Sequence, residues 1–230
     1  MSCLRILGLS IALALSLWQH AAAQTGQLLP EIDVYYKASP NVRLWFQAKE
    51  TQESTGPVTA EVGPSIDLYL RNFAKLVAIT RFDLDDSKSH PLLFSVGYRY
   101  LPAPGQPPTS RLEPLVTANL PLPKANILVT DRNRADLDWQ NGVFTWRYRN
   151  RIQLERTIGL RSYHLSPYAS AEFFYESLYD KWSDTAIYAG CLFPIGKHTE
   201  FNPYYEHQNK TGPSPNRQIN QLGLMVNFYF

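Results

Sequence analysis

The chain has 230 residues, with 22 lysines and arginines against 20 acidic residues and a formal net charge of +2. So even a balance excludes a general nucleic-acid binder, which carries a strong basic excess. Apolar content of 44% with a mean hydropathy of −0.28 is too low for a helical membrane protein, but is expected where every second residue of a barrel strand faces a polar lumen.

At the N-terminus, Arg5, the apolar run Ile6 to Leu17 and the small residues Ala21-Ala22-Ala23 read as a secretory signal cleaved after residue 23. The apolar run is too short for a transmembrane helix, and no later segment is as long and uncharged, so any membrane span must be made of strands. Cys3 leaves with the signal, and Cys191 then stands alone, which excludes an internal disulfide and a cysteine-based metal cluster. Residues 24–230 read as one β-barrel domain.

Alternating segments separated by Pro, Gly, Asn and Asp clusters predict strands over Glu31–Ala38, Val42–Thr51, Ser65–Asn72, Leu76–Asp85, Pro91–Leu101 and Arg111–Leu120. Six more are expected over Ile127–Trp139, Val143–Ile158, Pro167–Ser177, Ser183–Pro194, Thr199–Gln208 and Gln218–Phe230. The fold class is therefore all-β, an antiparallel up-and-down transmembrane β-barrel of about 12 strands. Pro102–Pro108 and Asn209–Pro215 read as exposed loops, and Gln140-Asn141-Gly142 as a tight hairpin. With both termini periplasmic, all three connections would lie on the outer side. In the last strand Leu222, Leu224, Val226, Phe228 and Phe230 share a face fit for lipid. Gln221, Gly223, Val226, Phe228 and Phe230 together resemble the C-terminal signal read by the barrel-assembly machinery.

Chemistry concentrates on the hairpin around Asn141-Gly142. Arg147, Arg149, Arg151, Gln153 and Glu155 share one face of a strand, and Arg132, Arg134, Asp136 and Asp138 form the matching face of the strand before it. That face belongs to the lumen, since an arginine at the lipid midplane costs about 2–4 kcal/mol. Pairing about the hairpin is expected to bring Arg134 near Arg147 and Arg132 near Arg149, with Glu172, Glu176, Glu200 and Glu206 offsetting the charge. Two readings stay open: an interior salt-bridge lattice filling a scaffold, or a track that selects anions.

The paired Arg-Asn-Arg strands, the run Ser166 to Tyr175, the Pro203-Tyr204-Tyr205-Glu206-His207 strand and the Phe-terminated end resemble DUF2490, a family of small bacterial outer-membrane barrels carrying only the label domain of unknown function. The resemblance implies a fold and a location, with no assigned activity. The size and lumenal arginines are also similar to the oligogalacturonate and sialic-acid porins, a likeness of architecture only. Glu206-His207-Gln208-Asn209, with Ser214, Asn216 and Arg217 beyond it, resembles the active-site stretch of outer-membrane phospholipase A. Asn209 here holds the nucleophile position, where an amide cannot be activated as a hydroxyl can.

His198 and His207 lack a third ligand at metal spacing, no cofactor motif is present, and the inward glutamates are better read as counter-ions than as a glycosidase pair. The expected function is a narrow pore or solute-binding channel. A lipid hydrolase using His207 and a structural barrel without transport are the alternatives. Expected partners are outer-membrane lipid, the assembly machinery and small anionic solutes, with a monomeric state and no nucleic acid.

Overall fold

The computed structural model describes residues 26–52, 58–70, 83–161, 163–212 and 215–230. Its strands are β1 Gly26–Ser39, β2 Val42–Gln52, β3 Val58–Tyr69, β4 Leu92–Ala103, β5 Gln106–Leu122 and β6 Ile127–Gln140. They continue with β7 Val143–Glu155, β8 Ile158–Leu160, β9 Tyr163–Glu176, β10 Lys181–Ile195, β11 Thr199–Lys210 and β12 Arg217–Tyr229. Neighbours in sequence are neighbours in the wall, and β12 returns to β1 to close it. The short β8 prolongs β7: both pair with β9 in one register, and the Arg156 amide bonds to the Pro167 carbonyl between them at 3.1 Å. Eleven ribbons thus make the closed barrel, with β8 as an extra piece.

The odd number corrects one expectation. Alternating directions around eleven ribbons leave β1 and β12 parallel, with Gly26 opposite Asn220 and Tyr35 opposite Tyr229. The start of β1 and the end of β12 therefore lie at opposite rims. The expected strand Leu76–Asp85 falls mostly outside the described residues, which omit 76–82; β3 pairs directly with β4, and Asp83 to Asp85 lead into a one-turn 3-10 helix, Asp86–Ser89. The expected loop Pro102–Pro108 is also tighter than its prolines imply. Gly105, at a φ of 71°, turns the chain so that Ala103 faces Gln106.

Carrying the ladder registers once around the wall from Asp33 gives a stagger of about 14 residues. For eleven strands that stagger gives a tilt of about 44° and a backbone radius of about 11 Å. Such a bore is wider than an eight-stranded barrel that side chains fill, and is narrowed by whatever points inward.

What points inward is polar. Along β4, Leu93, Ser95 and Arg99 are buried while Phe94, Val96, Tyr98 and Tyr100 are exposed. Along β12, Ile219, Gln221 and Asn227 are buried while Leu222 and Leu224 are exposed. Buried charge and a continuous exposed apolar wall invert the usual arrangement of a folded domain. Aromatic residues mark the rim at the β6–β7 turn, where Trp139 meets Phe144 at 5.1 Å and Trp146 stacks on Tyr175 at 5.5 Å. Two glycines let tyrosines lie flat inside: a Cβ on Gly223 would come within 2.0 Å of the Tyr204 ring, and one on Gly190 within 2.6 Å of the Tyr168 ring.

Candidate functional site

The arginine hairpin forms as its sequence requires, with one correction of register. Asn141 and Gly142 have φ of 49° and 79°, a two-residue turn that closes Gln140 onto Val143. This tight closure sets Asp136 opposite Arg147, Arg134 opposite Arg149 and Arg132 opposite Arg151, two residues away from the expected pairing. Asp136 thereby lands among the arginines. It meets Arg134 at 2.7 Å, Arg147 at 2.8 Å and Arg149 at 3.7 Å, and is fully buried.

Glu172, on β9, is the second anchor. It accepts from Arg149 at 2.8 Å and from Arg151 at 2.6 Å, and the Tyr188 hydroxyl lies 2.9 Å from it and 3.0 Å from Glu206. Aromatic faces hold the same guanidiniums: Arg149 lies 4.8 Å from the centre of Phe174, and Arg151 lies 4.1 Å from that of Tyr188. The other glutamates expected as counter-ions do not join the arginines by ion pairs among the described residues. Glu176 stands opposite Arg147 in register, but Arg147 turns to Asp136. Glu200 accepts from Asn227, and Glu155 accepts from Lys88. Among the described residues Arg132 forms no ion pair or hydrogen bond, and it borders the open lumen.

A second lattice, on β2 to β5, went unread in the sequence. Arg99 is fully buried, donating to Gln47, Ser65 and two backbone carbonyls while stacking on Trp45 at 4.6 Å. Arg111 pairs with Asp138 at 2.6 Å, and Glu61 accepts from Lys49 at 3.1 Å and from Arg111 at 3.4 Å. The signal was present as charges at period two, Arg111 and Glu113 on β5 and Glu61 and Asp67 on β3, each interrupted by an outward apolar residue.

Residues 83–90, ahead of β4, fold into the bore. Asp85 caps the one-turn helix by accepting from the Ser87 amide, and Arg43 of β2 donates to Asp85 at 2.6 Å. Asn119 of β5 donates to the carbonyls of Ser87 and His90. Lys88 reaches Asp83 at 2.6 Å and Glu155 of β7 at 2.9 Å. Burial by itself would lower the Lys88 pKa, but Asp83 and Glu155 outweigh it and hold the ammonium well above the ordinary lysine value. Burial likewise opposes ionisation of Asp85, and Arg43 and Lys88 overcome it, leaving its pKa below the ordinary carboxylate value.

These contacts run from β2 to β7, so the segment floors the lumen toward the rim where Phe230 ends. A cavity of about 550 Å³ rises from the floor, bordered by Asp85, Ser87 and Lys88 below and by Glu50, Thr59 and Lys210 at the far end. Its walls differ in kind. Once the tilt is allowed for, Arg132 on β6 stands level with Asp33 on β1, across the bore. The β6–β7 wall is cationic, whereas Glu31 and Asp33 on β1 are held by Gln47 and Tyr35.

His207 lies on the outer face of β11, where its Nδ1 meets Asn220 Oδ1 at 2.8 Å and the Tyr205 hydroxyl donates to the same oxygen. Asn209 faces Gln218 and Thr185 across the ladder, and Ser214 lies outside the described residues. Among the described residues no serine or cysteine joins this pair. Of the C-terminal signal residues, Gln221 is buried and Gly223 seats the Tyr204 ring, both facing in. Val226 and Phe228 belong to the outward set, and Phe230 is exposed, stacked on His198 at 5.7 Å. Phe230 is tied by its amide and carbonyl to Tyr35 and Lys37 of β1.

No curated protein matches this chain. A family model described as Protein of unknown function (DUF2490) matches residues 79–219, from the floor segment through the arginine hairpin and into β12. The match spans more than half of the chain, and the protein belongs to the DUF2490 family.

Proposed function

We propose that the barrel crosses the outer membrane and that its lumen is a narrow channel that binds and selects small anions. The observation that carries this reading is the cationic wall: Arg132, Arg134, Arg147, Arg149 and Arg151 face one cavity, and among the described residues the carboxylates touching them are Asp136, Glu172 and Glu113. A wall of arginine with fewer carboxylates favours anions over cations in a pore. The exposed apolar exterior and the aromatic rim fit a hydrocarbon layer with its interface. The floor segment makes the resting channel narrow.

The test is the reversal potential of the purified protein in a planar bilayer under a salt gradient. Anion-preferring steps that lose their preference when the five arginines become glutamine support the reading, and a silent folded barrel supports the scaffold alternative. A second reading draws on the His207–Asn220 contact, which reproduces the orienting half of a hydrolytic triad on the lipid-facing surface. Release of fatty acid from phospholipid by the wild-type protein, lost in His207→Ala, would move the function there.

A further inference from the structure

We propose that Arg132 and Arg151 together form an oxyanion-binding site, taking the carboxylate or phosphate group of a small solute. This rests on the channel reading and names the group within the arginine wall that holds the ligand.

The two residues stand directly opposite one another on β6 and β7, facing the same cavity. Directly opposed side chains have Cβ atoms about 4.5–5.5 Å apart, and like charges in that position repel. Elsewhere on the hairpin the repulsion is relieved by a carboxylate: Asp136 lies between Arg134 and Arg147, and Glu172 between Arg149 and Arg151. At the Arg132 level the row runs Arg132, Arg151, Glu172, so the carboxylate stands beyond Arg151, and among the described residues none comes between the two arginines or pairs with Arg132. Neighbouring anions are already engaged, since Glu155 serves Lys88 and Glu206 meets the Tyr188 hydroxyl.

The roles of the pair differ. Arg151 is positioned, with Nε and Nη2 on Glu172 and its plane over Tyr188, and its side chain keeps 24% of its surface open. Arg132, which has no anchoring bond among the described residues, can close on a ligand. An oxyanion between two guanidiniums receives paired, charge-assisted hydrogen bonds and removes the like-charge opposition in one step. The remaining arginines are poorer candidates. Arg134 keeps 7% of its side chain open, and Arg147 and Arg149 are shared with Asp136.

Two opposed guanidiniums make a sign-specific expectation. Removing Arg132 should stabilise the ligand-free barrel, because it takes away an unpaired charge, and should remove the stabilisation that the ligand brings. A residue with a merely structural role would show the first effect reversed. The experiment follows heat unfolding of the purified protein with inorganic phosphate, then acetate, added at constant ionic strength against chloride. Wild type should be stabilised saturably by phosphate. Arg132→Gln should unfold at a higher temperature than wild type without phosphate and need at least about tenfold more phosphate for half the response. Arg132→Lys should fall between, and Lys124→Gln, on the turn between β5 and β6, should match wild type.

A variant Arg132→Gln that is less stable without phosphate, or that answers to phosphate as wild type does, overturns the proposal. So does a wild type that ignores phosphate while still showing anion preference in bilayers, a result that would leave the channel reading intact. Phosphate stabilisation lost in Arg132→Gln, together with a silent bilayer, would uphold the site and overturn the channel.

Discussion

Replacement of Lys88 by methionine should open the floor of the barrel. The ammonium is mostly buried, 2.6 Å from Asp83 and 2.9 Å from Glu155, and its removal leaves two buried carboxylates without their cation. Breaking a buried pair from one side costs about 3–5 kcal/mol. If the segment can escape by swinging away from β7, that cost falls on the closed state alone, a shift of roughly a hundredfold to several thousandfold toward the open one. The remaining ties, Arg43 to Asp85 and Asn119 to Ser87 and His90, are on β2 and β5 and do not replace the link to β7. The assay is single-channel conductance of wild type and Lys88→Met side by side. Longer or larger openings in the variant are expected, with heat-resistant barrel migration unchanged. Identical conductance with equal protection of the Asp83 to His90 amides from hydrogen exchange would refute the reasoning.

Acid should loosen the same floor from its other side. Arg43 and Lys88 hold the Asp85 pKa below its unfolded value, so the clamp contributes fully above about pH 4 and is lost as pH falls through the lower, folded value. Conductance through the Asp85→Asn variant should therefore lack any acid step that wild type shows below about pH 4. Glu172→Gln should cost about 3–5 kcal/mol, because Arg149 and Arg151 lose their shared anion, and should be read as a lower urea midpoint of the detergent-held barrel. Gly223→Val should displace the Tyr204 ring and cost about 1–3 kcal/mol, seen as earlier loss of heat-resistant migration. His207→Ala should leave anion preference unchanged, since the imidazole faces outward and touches Asn220 rather than the lumen.

The wall of this barrel was legible in its sequence because alternation at period two is a local property. Ile32 and Leu224 outside, and Arg149 and Glu172 inside, follow from their positions along a strand. Register was less legible. It depends on which residues close a turn, and the two-residue closure at Asn141-Gly142 placed Asp136 against Arg147, where the sequence reading of the same tight hairpin puts Arg134. Closure was the least legible feature. Whether β12 meets β1 parallel or antiparallel depends on the parity of the ribbon count, and β3 pairs directly with β4, while the expected strand Leu76–Asp85 lies mostly outside the described residues. Its last residues instead enter the floor segment, where Asp85 and Lys88 find Arg43 and Glu155 from distant strands. Pairings across a bore leave no trace in local pattern. The links of Asp85 to Arg43 and of Lys88 to Glu155 belong to that class, whereas the Arg99 and Glu61 lattice and the opposition of Arg132 and Arg151 lie within the wall and follow from register.

The most direct test of the channel reading is the reversal potential of the wild-type protein in a planar bilayer under a tenfold potassium chloride gradient. A potential displaced toward the chloride equilibrium value, and collapsing toward zero when Arg132, Arg134, Arg147, Arg149 and Arg151 are all replaced by glutamine, is the expected result. Cation preference in the wild type, or an anion preference untouched by the fivefold replacement, would contradict it.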